Sequence, residues 1–205
     1  MIEKKGAVCM EFTVWDIQNI GAERLRQWFA EFPPAQQQKI LELRRTESRV
    51  SRLCAHRLAL EMLSAAAGLP MAALVIEADP LGKPQVKNAP LHFNVSHSGD
   101  FVACAVDARP VGVDIEVIRP VRPALAVRVC GPEELAYAAP GGDLDTVRFF
   151  EIWTAKEALL KYRGTGIRGD LREVRVVQEG KLHIEGLHLL SQCCDAYVLS
   201  IVSER

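Results

Sequence analysis

Apolar and polar residues alternate between residues 111 and 117, in the stretch PVGVDIEVIRP. The odd positions are all valine or isoleucine, and Asp114 and Glu116 stand between them. A period of two is typical of a β-strand, in which residues i and i+2 point to one face. Two carboxylates on one face repel each other, which raises the pKa of one of them unless water or a cation is near. Taken alone, the pattern indicates a strand with a solvated polar face.

Hydrophobic periodicity elsewhere predicts one long helix and several strands in each half of the chain. In the first half the predicted helix is 36–67, and the predicted strands are 7–17, 74–78, 91–95 and 101–106. In the second half the predicted helices are 132–138 and 144–163, and strands are expected at 173–178, 181–189 and 196–202, with Glu179-Gly180 as a tight hairpin turn. This grouping favours an α+β fold of two similar halves, 1–107 and 108–205, over an alternating parallel sheet.

Composition and charge limit the possible classes of protein. The chain has 205 residues, of which 49% are hydrophobic and 25% charged, so a compact core is expected and disorder is not. The formal net charge of -1 predicts no general attraction to nucleic acid or membranes, so any anion must bind at a local basic cluster. No apolar run reaches the length of a signal peptide core or a membrane span, which predicts a cytoplasmic protein. Six cysteines without a C-x-x-C motif favour buried free thiols for most of them.

The second long helix carries the motif WTAKEALLKY, residues 153–162. Lys156, Glu157 and Lys161 share a stripe with Trp153 at helical spacing, and an ordinary surface Glu-Lys pair would explain them. The other faces of this helix are also apolar, however, so it should be largely buried, and buried charges need partners. If Glu157 faces the two acids of the strand, three carboxylates form a hard oxygen site for Mg2+, with Mn2+ as an alternative, and phosphate oxygens as further ligands.

Two basic or polar segments could hold an anion. Arg45, Arg49, Arg52 and His56 are spaced by four, three and four residues along the first helix, with Lys39 before them, so they form a basic stripe that is either solvated or binds phosphate. The stretch FNVSHSGD, residues 93–100, is predicted to be an exposed turn between strands. Ser96 and His97 in it could be a hydrolase pair or anion donors, and the chain has neither a G-x-S-x-G elbow nor a Walker A loop.

Four motifs in order, GKP at 82–84, FNVSHSGD, GVDIE at 112–116 and WTAKEALLKYRGTGI at 153–167, resemble those of the 4'-phosphopantetheinyl transferases in the larger, surfactin-synthetase-associated class. The resemblance spans about residues 35 to 175. It implies two similar α+β halves related by a pseudo-twofold axis, with the active site between them and both halves in one monomeric chain.

The resemblance also implies roles for individual residues. Asp114, Glu116 and Glu157 would hold Mg2+ against the pyrophosphate of coenzyme A, and the implied catalytic residues are Glu157, Lys161 and Glu116. Glu157 would be the general base for the carrier-protein serine, and Lys161 would neutralise or protonate the leaving 3',5'-ADP, with Lys156 assisting. The implied coenzyme A contacts are Lys39, Arg45, Arg52, Gly82, Lys83, Pro84, Ser96, His97, Asp114, Lys156 and Lys161. Where the family often has two lysines this chain reads PAQQQK, which leaves Lys39 as the match and Arg45 and Arg49 as substitutes.

The function implied is transfer of 4'-phosphopantetheine from coenzyme A to a serine of an apo acyl or peptidyl carrier protein. The expected partners are coenzyme A and the carrier protein, with no nucleic acid and no membrane. Two alternatives stay open on the sequence. One is another Mg2+-dependent nucleotide or phosphoryl transferase, and the other is a non-catalytic module that binds coenzyme A or a carrier protein.

Overall fold

The structure, a computed structural model, describes residues 10–80, 82–166 and 169–204. Residues 7–9 of the first predicted strand, together with Ile167 of the last motif, lie outside the described residues. The described chain forms two three-stranded antiparallel sheets, each covered by one long helix, and two small strand pairs.

The N-terminal half is built on the first sheet, whose strand order is β1-β5-β4 once its elements are numbered along the chain. The elements are β1 (Glu11–Asp16), α1 (Ala22–Glu31), α2 (Pro34–Leu41), α3 (Thr46–Ala67), β2 (Ile76–Ala78), β3 (Pro84–Val86), β4 (His92–Ser98) and β5 (Phe101–Asp107). The apolar side of α3 packs on this sheet, where Leu58, Leu63 and Val102 are almost wholly buried.

The C-terminal half repeats this plan. Its elements are β6 (Val111–Val117), α4 (Pro123–Val129), α5 (Pro132–Ala138), α6 (Thr146–Arg163), β7 (Val177–Gln178), β8 (Lys181–Leu182), β9 (Leu187–Cys193) and β10 (Tyr197–Glu204). Its sheet has the order β6-β10-β9, so in both halves the first strand pairs with the last, and the last with the one before it. The predicted α+β class with two similar halves is therefore confirmed. The division at residue 107 stays a prediction.

Several local predictions were wrong, because hydrophobic periodicity does not record the contacts that begin and end an element. The helix predicted at 36–67 is two helices, α2 and α3. The Arg49 guanidinium donates to the carbonyls of Leu41 (2.9 Å) and Leu43 (2.7 Å), so the backbone carbonyls at the end of α2 have hydrogen-bond partners without a continuous helix. Helices α1 and α4 and strand β3 were not predicted. The strand expected at 181–189 is two strands, β8 and β9, and the one expected at 173–178 is reduced to β7. The stretch at 96–98 is not a turn but the end of β4, and the turn is reduced to Gly99-Asp100, with Gly99 at a φ of +54°.

The predicted hairpin at Glu179-Gly180 is confirmed. Both residues have positive φ, 52° and 68°, as a type I' turn requires, and Val177–Gln178 pairs with Lys181–Leu182 across it.

The cysteine prediction holds for the core of the protein. Cys54, Cys104 and Cys130 are buried free thiols, whereas Cys193 and Cys194 are free and exposed, and Cys9 lies outside the described residues. Among the helices that the structure describes, none combines the length and the apolar character needed to cross a membrane.

The two halves meet where β4 lies beside β6. The side chains of β4 replace backbone pairing here: Asn94 Oδ1 accepts from the Val113 N–H (3.1 Å), and Ser96 and Ser98 donate to the acids of β6. The odd residues of β6 enter a buried apolar layer between the two sheets with Ala103, Ala105, Leu199 and Ile201. The even residues therefore point the other way, towards α6, and the face predicted to be solvated is covered by a helix.

Gly112 sets how closely β6 and α6 approach. A Cβ built on it would lie 2.1 Å from the Ala158 carbonyl oxygen and 2.4 Å from the Tyr162 amide nitrogen, and neither backbone atom can move without moving the helix. We expect Gly112→Ala to destabilise the protein by about 1–3 kcal/mol through overpacking. Urea unfolding followed by circular dichroism measures this, and Gly141→Ala is the control, because nothing lies within 4 Å of its Cβ position. Equal unfolding midpoints for the two variants would contradict this account of the motif.

Candidate active site between the halves

A cavity of about 340 Å³ opens where β4, β6 and α6 meet. It is lined by Val95, Ser96, His97, Asp114, Glu116, Trp153, Glu157 and Lys161. The structure thus brings together three elements that are far apart in sequence, and with them the three predicted acids, the predicted Lys161, and Ser96 and His97 of the FNVSHSGD motif.

Asp114, Ser96 and Lys161 form a hydrogen-bonded cluster in the floor of this cavity. The Lys161 ammonium donates to Asp114 Oδ1 (2.6 Å), Ser96 Oγ (2.9 Å) and the Val113 carbonyl (3.1 Å), and Ser96 Oγ donates to the same Asp114 oxygen (2.7 Å). Burial raises the pKa of Asp114 in spite of Lys161 and Ser96, which oppose the shift. The ion pair with Lys161 therefore favours the charged form of this carboxylate, against the effect of burial.

Glu116 is held by two residues that the sequence analysis did not assign to the site. Ser98 Oγ donates to Glu116 Oε2 (2.7 Å), and Arg119, whose guanidinium lies over the Phe150 ring, donates to the same oxygen (2.8 Å). A signal for Ser98 exists in the sequence, because Asn94, Ser96 and Ser98 alternate along β4 and so share one face. Nothing local points to Arg119.

Glu157 and Asp114 each leave one buried oxygen without a partner. Among the described residues, Asp114 Oδ2 and Glu157 Oε1 are enclosed side-chain oxygens that accept no hydrogen bond. Burial is the main reason that the pKa of Glu157 is raised, and the negative charge of Asp114 adds to it, with a smaller contribution from Glu116. A buried, unpartnered carboxylate oxygen is costly and is a hard ligand, so these residues fit a divalent cation such as Mg2+.

The three acids do not form a ready metal centre in this conformation. Within the described parts of the chain, no three acidic, histidine or cysteine side chains are arranged to hold a metal ion. Lys161 and Arg119 instead pair with the first two acids. That Asp114, Glu116 and Glu157 share one cation stays a prediction.

A second cavity, of about 380 Å³, adjoins the first, and its lining carries two cationic side chains, Lys39 and Arg52, and one acid, Glu77. Val95 and His97 line both cavities, and the second is also lined by the predicted contacts Lys39, Arg52, Gly82 and Pro84, together with His56. The loss of water around the His97 ring lowers its pKa, and the positive charges of Arg52 and Lys161 lower it further. The imidazole is therefore neutral at physiological pH, and Lys39 and Arg52 supply the positive charge.

Lys156 is not at the site, which corrects the prediction that it assists Lys161. Only 1% of its side chain is exposed, and its ammonium donates to Glu134 Oε2 (2.5 Å) and to the carbonyls of Val129 and Leu171 (2.8 Å each). Successive residues of a helix are turned by about 100°, so Lys156 faces α5 and the segment after α6 while Glu157 faces the cavity.

Lys83, Arg45 and Arg49 are not placed as anion contacts either. The Lys83 ammonium lies against the last turn of α6 and donates to the Lys161 carbonyl (2.6 Å). Arg45 is exposed beside the N-terminal end of α3 and lines neither cavity. The Arg49 guanidinium donates to the backbone carbonyls of Leu41 and Leu43 instead. The basic stripe predicted along the first helix therefore contributes Arg52 and His56 to the cavity, but neither arginine at its start.

His56 predicts how stability depends on pH. Its pKa is lowered to about 4, mainly by burial and then by the charge of Arg52. Below the unfolded-state pKa of about 6.5 the unfolded chain takes up a proton that the folded protein does not, so stability is lost as the pH falls from about 6.5 to about 4. We expect His56→Gln to lessen this loss by about 2–3 kcal/mol. Urea unfolding at pH 7 and pH 4.5 measures it, with the exposed His188→Gln as control; equal pH dependence in wild type and His56→Gln would contradict it.

Comparison with known proteins gives one family for both halves. A family model described as "4'-phosphopantetheinyl transferase superfamily" matches residues 110–202, and one described as "4'-phosphopantetheinyl transferase, N-terminal" matches residues 21–109. The two matched ranges together contain the residues that line both cavities.

Individual relatives match part of the chain. It is 43% identical over 101 residues to the 4'-phosphopantetheinyl transferase psf-1 of Bacillus pumilus, covering 48% of this chain and 43% of the relative. It is 38% identical over 108 residues to the 4'-phosphopantetheinyl transferase Sfp of Bacillus subtilis, covering 51% and 48%. With AcpT of Salmonella typhimurium, also named a 4'-phosphopantetheinyl transferase, identity is 45% over 89 residues, covering 40% and 46%. The matched chain thus spans about half the length of these curated relatives.

Proposed function

The chain belongs to the 4'-phosphopantetheinyl transferase superfamily, and we propose that it transfers the phosphopantetheine arm of coenzyme A to a serine of an apo acyl or peptidyl carrier protein. The observation that carries the proposal is the pair of buried, unpartnered oxygens on Asp114 and Glu157, two residues that line one cavity together with Lys161. Carboxylates and a lysine around one cavity suit a reaction at a pyrophosphate, where negative charge must be neutralised on both sides.

Asp114, Glu116 and Glu157 are the residues that would hold Mg2+, or Mn2+ in its place. When bound, the cation would neutralise the pyrophosphate and orient its oxygens, which is chemistry that such ions supply in many phosphoryl transferases. For Glu116 and Asp114 this requires that Arg119 and Lys161 give up part of their present pairing. Lys161 then becomes available to the substrate.

Glu157 is the proposed general base. In the reaction the serine oxygen bonds to the phosphorus next to the pantetheine arm, and the bond from that phosphorus to 3',5'-ADP breaks. The serine proton must leave as this happens, and a carboxylate with a raised pKa takes up a proton more readily than an ordinary one. The Lys161 ammonium, on the same face of α6 one turn later, would donate a hydrogen bond or a proton to the leaving phosphate.

The second cavity is the proposed site for the nucleotide end of coenzyme A. Lys39 and Arg52 give it the positive charge that a 3'-phosphate requires, and His97 lies between the two cavities. Gly82 and Pro84 form its wall beside the apolar Ile76 and Phe93, a surface that suits the flat adenine ring.

The assembly and compartment are also proposals. Residues from both halves of one chain line the first cavity. The site therefore needs no second copy of the chain, and we expect a monomer. A net charge of -1 supports neither nucleic acid nor membranes as partners. Buried free thiols suit the reducing cytoplasm.

Mass spectrometry tests the function. Incubation of the protein with coenzyme A, Mg2+ and an apo carrier protein should increase the carrier mass by one phosphopantetheine, and Asp114→Ala should abolish the increase. Calorimetry should show coenzyme A binding, which another phosphoryl transferase would not require. Absence of any mass increase across acyl and peptidyl carriers, with intact coenzyme A binding, would leave only a binding module.

A further inference from the structure

Lys83 lies in the N-terminal half but reaches into the C-terminal half. Its ammonium donates to the carbonyl oxygen of Lys161 (2.6 Å) and lies 3.4 Å from that of Tyr162. Burial lowers the pKa of Lys83, opposed by the charge of Asp79. The long side chain is thus partly withdrawn from water, and its ammonium lies against the backbone of the other half.

The turn that presents Lys83 is held by its own hydrogen bonds. Asp79 Oδ1 accepts from the Lys83 N–H (2.9 Å), the Asp79 N–H donates to the Lys83 carbonyl (2.9 Å), and the Gly82 N–H donates to the Asp79 carbonyl (2.9 Å). These three hydrogen bonds fix the backbone conformation at Lys83, and with it the direction in which its side chain leaves the turn.

The last turn of α6 is where a cation is most useful. The final carbonyls of a helix lack intrahelical partners and carry the negative end of the helix dipole. The Thr165 N–H already donates to the Leu160 carbonyl and the Gly164 N–H to that of Lys161, both at 3.2 Å. Lys83 adds the shorter contact, and it does so on the residue whose own side chain pairs with Asp114 and Ser96.

We propose that Lys83 is a positioning residue: it clamps the C-terminal turn of α6 and so fixes where the Lys161 side chain enters the first cavity, beside Asp114 and Ser96. Its neighbours Gly82 and Pro84 line the second cavity, so the clamp joins the wall of that cavity to the helix that carries Glu157 and Lys161. The catalytic part of this inference rests on the proposed transfer reaction, whereas the clamp itself does not.

The first test is kinetic and uses carrier-protein loading. Lys83→Met keeps the aliphatic stem and removes the donors, and Lys83→Arg restores them. Because small displacements of a reacting group can cost about 100-fold in rate, we expect Lys83→Met to lower kcat by about 10- to 100-fold, with less than about a 3-fold change in KM for coenzyme A. Lys83→Arg should recover most of this. The matched control is Lys87→Met, which removes an exposed lysine of the following segment whose ammonium donates to Gln85 Oε1 (3.0 Å).

A double-mutant cycle distinguishes action through Lys161 from other causes. In a Lys161→Met background, Lys83→Met should lower the residual rate by less than about 2-fold, since the group it positions is gone. A full further loss in that background would overturn the proposal. So would a rise in KM with kcat unchanged, which would make Lys83 a direct coenzyme A contact.

The second test does not need activity. Amide hydrogen exchange at Gly164 and Thr165 should be at least about 10-fold faster in Lys83→Met than in wild type and unchanged in Lys87→Met. Unchanged exchange in Lys83→Met would refute the clamp. If wild type shows no transfer but the exchange result is as expected, the proposed function fails while the clamp stands.

Discussion

We expect Glu157→Gln to lower the rate of the proposed phosphopantetheine transfer by about 10²- to 10⁴-fold, the range that a positioned general base contributes. Glutamine keeps the size of the side chain but cannot take a proton from the serine hydroxyl. It also removes a hard carboxylate oxygen from the set proposed to hold Mg2+. Steady-state loading of an apo carrier protein, followed by mass spectrometry, measures the effect, and Mg2+ titration by calorimetry separates lost cation binding from lost base.

The same variant should lower the rate but increase the stability of the folded protein. The pKa of Glu157 is raised, mainly by burial and also by Asp114, so the folded protein favours the neutral acid. Without a cation, this contribution to stability is present at low pH and is lost as the pH rises through the raised pKa. At pH 7 Glu157→Gln should therefore unfold at a higher temperature than wild type.

The control on the same helix is Glu151→Gln. Glu151 accepts a hydrogen bond from the Tyr137 hydroxyl (2.6 Å), which an amide oxygen can also accept, and it does not line the first cavity. It should retain nearly full activity. Half or more of the wild-type rate in Glu157→Gln would remove Glu157 as the base.

Lys156→Met lowers the free energy of unfolding by about 3–5 kcal/mol, the cost of breaking a buried ion pair by removing one partner. The Glu134 carboxylate would stay buried with only the N–H groups of Gly131 (2.8 Å) and Val176 (3.1 Å) to stabilise it. The carbonyls of Val129 and Leu171 would lose their donor as well. Chemical denaturation followed by fluorescence measures the loss.

Two further variants make this result specific. Lys181→Met removes an exposed lysine and should leave stability within about 0.5 kcal/mol of wild type. Glu134→Gln combined with Lys156→Met should recover part of the loss, because no buried charge is then left unpaired. A loss no larger than that of the Lys181 control would mean that the pair is not needed for the fold.

The sequence by itself determined the features that depend on local periodicity and on turn chemistry. The alternation along β6, the helical spacing of α6 and the hairpin at Glu179-Gly180 follow from preferences within a few residues, and all three are confirmed. The order of the four motifs was sufficient for the family, and thus for the fold of two halves. The acids at 114, 116 and 157 were also gathered correctly into one cavity.

Only the tertiary structure decided which charged side chains face the cavity. Lys156 and Glu157 are neighbours in sequence, yet one is buried against Glu134 and the other enters the site, because the choice depends on what packs on each face of α6. Glu116 accepts hydrogen bonds from Arg119, three positions away, and from Ser98, 18 positions away. The Lys83 ammonium contacts the end of α6 at Tyr162, 79 positions away. A sequence pattern reports the period of one element, whereas the partner of a buried charge is set by the element packed against it.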